Sequence, residues 1–256
     1  MTHVDTHAHL NLPHFKGTLE AVLDRAARAG VERIICVGTD VESSQRALEL
    51  ADEYPEMLRA AVGIHPTAAG RADPEDVSRL EEMLEHPRVV AVGETGLDYH
   101  HDESSPEQQK QMFRRHLELS AKHGMPTIVH SRKADEDTLD VLRAADGPVT
   151  GVRHCFDGSL QTAEEFLDAG LHISFTALVT RDGHKKLKTA AQHVPEERIL
   201  VETDCPYMKP ARVDAEVNEP SFICHTVEAL ASLRDVPPET LSETCTENAR
   251  RLFDLA

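Results

Sequence analysis

His7 and His9 stand one residue apart in Val4-Asp5-Thr6-His7-Ala8-His9-Leu10, where a short apolar run ends. Alternate side chains of a strand point to the same side. The two imidazoles can therefore aim at one point, and imidazole is the commonest protein metal ligand. Taken alone, the pair fits two polar residues at a strand end equally well. The two readings separate on whether the rest of the chain supplies further ligands in matching positions.

Other apolar runs end in the same kind of residue. His65 follows one in Gly63-Ile64-His65-Pro66, and Glu94 another in Val92-Gly93-Glu94-Thr95-Gly96-Leu97-Asp98-Tyr99. His130 comes in Ile128-Val129-His130-Ser131-Arg132, and His154 in Val152-Arg153-His154-Cys155-Phe156. Glu202 and Asp204 come last, in Leu200-Val201-Glu202-Thr203-Asp204-Cys205-Pro206. Of the 16 histidines, His86, His101, His123, His184 and His193 lie in polar or helix-end settings and read as solvated side chains. The strand-end set differs in that each member directly follows an apolar run.

Four imidazoles with two or three carboxylates suit a pair of divalent ions. Mixed nitrogen and oxygen donors allow zinc, manganese or iron, whereas magnesium favours more oxygen. His7, His9 and Asp204 make one candidate site, His130 and His154 another, with Glu94 as the bridge between them. Two ions about 3.5–4 Å apart clamp the attacking and leaving oxygens of a displacement and acidify bound water. Asp204 beside such a water is also a candidate general base. Glu202, two residues earlier, would share a strand face with Asp204 and is a candidate metal ligand, water-positioning group or hydrogen-bond acceptor. His65 is a candidate for an additional metal, for substrate, or for a structural hydrogen bond.

Such a set needs a scaffold that gathers strand ends. Strand candidates lie near residue 4 and at 31–37, 58–63, 89–92, 127–129, 149–152, 171–174 and 198–201. Helix candidates lie between and after them, at 18–29, 42–53, 74–85, 106–123, 135–145, 160–169, 183–193 and 219–233. Asp73-Pro74 and Ser105-Pro106 each place an N-cap before a proline at the first helical position, and Gly30, Gly124 and Gly170 sit where helices should stop. Pro237-Pro238 breaks the chain before a last helix ending near Leu252. Eight alternating units in 256 residues imply an α/β fold, a closed (β/α)8 TIM barrel forming a single domain over residues 1–256. A doubly wound open sheet is the alternative, but no G-x-G-x-x-G opens a helix. A barrel brings all its strand ends to one face, where barrel active sites sit.

Composition narrows the function classes. No apolar run approaches the ~18 residues of a membrane span. The first residues lack the basic and apolar regions of a signal peptide, so a soluble, cytoplasmic protein is expected. Five cysteines without a C-x-x-C pair suggest neither a disulfide framework nor a cysteine zinc site, and Cys36, in Ile34-Ile35-Cys36-Val37, reads as core. The net charge of −18 comes from 45 acidic against 27 basic residues, the latter 19 arginines and only 8 lysines. That surface suggests adaptation to a high-salt, halophilic setting, where self-repulsion is screened. It also argues against broad electrostatic capture of nucleic acid, which normally shows as a basic face.

The ordered series of motifs resembles the TatD family of metal-dependent deoxyribonucleases, in the amidohydrolase superfamily. The resemblance runs from Asp5-Thr6-His7-Ala8-His9 through the segments above, with His154-Cys155-Phe156-Asp157-Gly158, Asp204-Cys205-Pro206-Tyr207, Asn218-Glu219-Pro220 and Asn248-Ala249-Arg250-Arg251-Leu252-Phe253, and so covers nearly the whole chain. It implies a TIM barrel with two divalent ions, magnesium, manganese or zinc. It implies that His7, His9, Glu94 and Asp204 bind one ion and Glu94, His130 and His154 the other, Glu94 taking the bridging place that many relatives give to a carboxylated lysine. The activity it implies is phosphodiester hydrolysis, often exonucleolytic on single-stranded DNA. Two departures stand out. Val217 replaces the arginine that often precedes Asn-Glu-Pro, with Arg212 a candidate to take over its contact, and Cys205 replaces a small apolar residue. DNA is left to the metals and a local basic patch, for which Arg132, Arg153 and Lys209 are candidates, Arg132 foremost. No obligate protein partner is evident. Alternatives on the same scaffold are hydrolysis of a lactone, amide or small phosphotriester, or a metal-stabilised protein without catalysis.

Overall fold

Eight parallel strands in sequential order form one sheet, in a computed structural model that describes residues 1–255. The strands are β1 (His3–Ala8), β2 (Val31–Val37), β3 (Leu58–Val62), β4 (Val89–Asp98), β5 (Thr127–Arg132), β6 (Gly151–Arg153), β7 (Leu171–Phe175) and β8 (Ile199–Val201). The helices that follow them are α1 (Leu19–Arg28), α2 (Val41–Glu53), α3 (Pro74–Leu84), α4 (Pro106–His123), α5 (Asp135–Arg143), α6 (Leu160–Asp168), α7 (Lys185–His193) and α8 (Ile223–Arg234), with α9 (Pro238–Phe253) at the end. This is the nearly closed (β/α)8 barrel expected of the alternating pattern.

Local chemistry explains the helix limits. Asp73 and Ser105 each cap a helix in a reciprocal capping box, with proline next in the chain. Gly124 ends α4 in the left-handed conformation at φ 65°.

The barrel interior is packed by Val4, Ile35, Val37, Ala61, Ala91, Ile128, Val152 and Leu200, one or two from each of β1–β6 and β8. Ala249, Leu252 and Phe253 of α9 join that cluster and plug one mouth of the barrel. The neighbours of these residues in sequence, such as Ile34 and Cys36, point the other way into the larger layer between sheet and helices. The opposite mouth is where the polar strand ends meet.

The sheet closes between β1 and β8. Ala8 bridges Cys205, the Asp204 N–H donates to the His7 carbonyl at 2.9 Å, and the His9 N–H donates to the Cys205 carbonyl at 2.8 Å. Asp5 reinforces the seam by accepting from the Thr203 N–H at 2.9 Å and the Thr203 hydroxyl at 2.5 Å.

Two strands carry an extra residue beside the site. Asp5 pairs with Ile34 but Ala8 with Cys36, and Val92 pairs with Thr127 but Thr95 with Val129. Each is a bulge of two residues against one, Thr6 and His7 against Ile35 and Gly93 and Glu94 against Ile128, a device that re-aims side chains next to active sites. β4 also runs on past its expected end at 92 to Asp98. Gly96 permits this: at φ +136° a Cβ there would meet the His130 carbonyl oxygen at 2.0 Å.

Candidate metal centre

His7, His9, His130, His154 and Asp204 meet around the Glu94 carboxylate. Its Oε2 lies 3.5 Å from His7 Nε2 and 3.6 Å from His9 Nε2. Its Oε1 lies 2.8 Å from His130 Nδ1 and 2.8 Å from His154 Nε2. Asp204 Oδ1 completes the first side, 3.8 Å from His7 Nε2 and 3.5 Å from His9 Nε2. His7, His9 and Asp204 thus form one compact donor group and Glu94, His130 and His154 another.

Around His7, His9 and Asp204 the geometry is that of ligands more than of a hydrogen-bonded network. His7 Nε2 and His9 Nε2 approach to 3.1 Å, and each stands beyond hydrogen-bond reach of the carboxylates it faces. With metal–ligand bonds near 2.0–2.2 Å, neighbouring donors of a tetrahedral site lie about 3.3–3.6 Å apart, which is close to the observed spacing. Asp204 adopts φ 53°, a left-handed conformation tolerated by aspartate, which turns its carboxylate toward the histidines.

Charge is concentrated here out of water. Burial by itself would raise the Glu94 carboxyl, but the imidazoles of His154, His65 and His130 around it hold it well below the usual carboxylate range. Asp204 is also lowered, the effect of burial being outweighed by the nearby imidazoles of His9, His7 and His154. His154 shows the converse: burial disfavours its cation, yet Glu94 and Glu202 push it up to about 10. The pocket calls for positive charge, and a divalent ion supplies it more directly than a buried proton. The donor set present therefore fits a metal.

Around this core stand Glu202 and His65, each of which also falls in a further donor group, His7–His154–Glu202 and His65–Asp98–His130. Glu202, fully buried, accepts from the Cys155 N–H at 2.6 Å and lies 3.3 Å from His154 Nδ1. A carboxylate behind the far nitrogen of a histidine fixes ring and tautomer, so Glu202 stands behind His154, while Asp204 turns away from it to face His7 and His9. His65 directs Nδ1 to the Thr67 hydroxyl at 2.8 Å, leaving Nε2 3.6 Å from Glu94 Oε1. Burial and the neighbouring His130 lower it to about 3.

Asp98, past the expected end of β4 at 92, also reaches the site. Its Oδ2 lies 3.1 Å from His130 Nε2 and 2.9 Å from His101 Nδ1. His101, read as a solvated side chain, thus belongs to the rim of the site. Alternation along β4 places Asp98 on the Glu94 face, so the same period that singled out His7 and His9 would have found it. Asp5 was likewise missed as a structural residue, and its burial raises it to about 7.

The proposed basic patch needs correction. Arg153 is only 2% exposed. It donates to the Ser131 and His154 carbonyls and packs against the Phe156 and Phe166 rings, so it cannot meet a polymer. Lys209 is half-buried and donates to the Ala215 carbonyl at 2.5 Å. Arg132 is exposed at the end of β5, with Lys133 exposed beside it. Arg212 forms no ion pair among the described residues; Arg25 of α1 holds Glu219 of the Asn-Glu-Pro segment instead, at 2.6 Å. Cys36 and Cys205 are fully buried thiols raised by burial, Cys36 to about 12, and belong to the core.

The family model of TatD related DNases matches residues 4–254. The chain is 40% identical to the uncharacterized metal-dependent hydrolase YabD of Bacillus subtilis, over 97% of this chain and 98% of that one. It is 36% identical to the 3'-5' ssDNA/RNA exonuclease TatD of Edwardsiella piscicida, over 99% of this chain and 100% of that one. The crystal structure of YjjV, a TatD homolog from Escherichia coli K12, superposes with a TM-score of 0.94 at 34% identity, covering 99% and 98% of the two chains. With its barrel, its clustered imidazoles and carboxylates and this likeness over its full length, the chain belongs to the TatD family of metal-dependent hydrolases.

Proposed function

We propose that the protein is a two-metal phosphodiesterase that acts as an exonuclease on single-stranded DNA. The observation that carries the reading is the split of one carboxylate between two donor groups, Glu94 Oε2 toward His7 and His9 and Oε1 toward His130 and His154. On this reading His7, His9, Glu94 and Asp204 hold one ion and Glu94, His130 and His154 the other. Magnesium, manganese or zinc bound there lowers the pKa of water and offsets charge on phosphoryl oxygens. Asp204 takes the proton of the attacking water: its carboxylate is ionised, and Oδ1 faces the histidines, leaving Oδ2 as acceptor. Glu202 keeps His154 oriented. Arg132, exposed beyond His130, meets a substrate phosphate, its guanidinium matching phosphate oxygens in a fork. The nucleic-acid substrate is supported by the relative from Edwardsiella piscicida, whose name gives single-stranded DNA and RNA.

The test is a metal-supplemented assay on labelled single-stranded DNA, with Asp204→Asn as control. Progressive loss of nucleotides, abolished by EDTA and by the substitution, is expected. Full activity of Asp204→Asn refutes its role. Turnover of a lactone or amide panel with none on DNA refutes the substrate.

A further inference from the structure

Tyr207 lies three residues beyond Asp204 at the rim of the metal group, and its side chain is 50% exposed. Among the described residues, Met1 and Tyr207 are the large hydrophobic side chains left in solvent, and Met1 begins the chain. The ring is 6.1 Å from that of His9 and 6.5 Å from that of the exposed His14, edge-on to both. Its backbone is pinned on both sides: the Tyr207 N–H donates to the Asp204 carbonyl at 2.9 Å, and the Asn218 amide donates to the Tyr207 carbonyl at 2.6 Å. Asn218 also holds the Thr203 carbonyl at 2.8 Å, so the Tyr207 backbone is tied to the segment that carries Asp204. The Tyr207 hydroxyl has no hydrogen-bond partner among the described residues. A held aromatic face, open to solvent one residue's width from the metal group, has no packing role that accounts for it.

We propose that Tyr207 is a stacking platform for the nucleobase next to the scissile phosphate. The inference rests on the nuclease reading above. A ring this close to His9 is within the span of one nucleotide. Stacking on an aromatic face is how single strands are held without regard to sequence, since every base offers a π-face. The need is greater on this chain: at a net charge of −18, long-range attraction of the phosphate backbone is weak, and contacts to the bases add to those that Arg132 and the ions make to phosphate. The site would thus favour ends whose base is free to unstack, which are single-stranded ends.

Steady-state kinetics of the metal-loaded enzyme on a short single-stranded oligonucleotide test this, with wild type, Tyr207→Leu and Tyr207→Phe. Each is assayed on an intact strand and on one whose terminal nucleotide is an abasic analogue. Tyr207→Leu is expected to raise KM by about tenfold or more on the intact strand, with the loss in KM rather than kcat. Tyr207→Phe is expected to recover most of that loss, and on the abasic strand the wild type and Tyr207→Leu are expected to coincide. Quenching of a terminal 2-aminopurine on binding is expected to weaken in Tyr207→Leu alone. An unchanged KM for Tyr207→Leu overturns the proposal, as does an equal penalty on the abasic strand. Failure of Tyr207→Phe to recover replaces stacking by a hydroxyl contact. If wild type cleaves neither single-stranded DNA nor RNA, the nuclease reading falls and takes this inference with it.

Discussion

His9 and His130 each make two kinds of contact, one toward the shared centre and one that fixes their direction. His9 aims Nε2 at Asp204 and anchors Nδ1 on the Val37 carbonyl at 3.1 Å. Such division of labour predicts separable effects. Asp204→Asn keeps size and the left-handed turn but removes the proton acceptor and a charged ligand, so kcat is expected to fall by at least about 100-fold. Its circular dichroism and Tm should stay near wild type; a matching loss of fold would show the role to be structural. His7→Ala is expected to cost metal content, measured by elemental analysis, more than it costs thermal stability of the metal-free protein. Retention of the full metal complement would remove His7 from the ligand set. Direct sequence reading reached these residues because each follows an apolar run. It could not separate Arg153 from Arg132, since an arginine under the loops and one over them have the same letter, and only the packing on Phe156 and Phe166 tells them apart.

Among the elements, α4 does more than cover the sheet. Its His116 is fully buried, with Nδ1–H donating to the Met112 carbonyl at 2.9 Å and Nε2 accepting from the Ile64 N–H at 2.9 Å. That second bond fixes the chain just before His65. Its Nε2 must stay unprotonated to accept, and burial lowers the ring from 6.5 to about 4. The folded value lies below the unfolded one, so the contribution is complete above about pH 6.5 and is lost as pH falls toward 4, where the unfolded chain takes up the proton first. The whole effect is roughly 3 kcal/mol. His116→Gln is expected to lower stability at neutral pH by about 1–3 kcal/mol and to flatten the acid limb over that window. Urea unfolding at several pH values checks it, and parallel pH profiles for the two proteins would contradict it. Element order and most helix limits were legible because caps and apolar periodicity are local. The length of β4 was not: its run from Val92 to Asp98 depends on the bulge and on Gly96 lying against the His130 carbonyl, a contact between segments far apart in sequence.

At the scale of the molecule, 45 acidic residues against 27 basic ones repel one another across the surface. Salt screens that repulsion over about 10 Å at 0.1 M, so Tm is expected to rise between low and molar salt. An indifferent Tm would count against a salt-adapted surface. The barrel itself was legible from eight alternating units, but its seam was not, because Asp5 and Thr203 have no periodic signature and meet only when the sheet curls round. That seam sets a timetable for biosynthesis. His9 leaves the ribosome 195 residues before Asp204, and the two are brought together by the very bonds that join β1 to β8. A half-made chain holds His7, His9, His65 and Glu94 but still lacks His130, His154 and Asp204. The first donor group is therefore complete only when the two ends of the chain are stitched together.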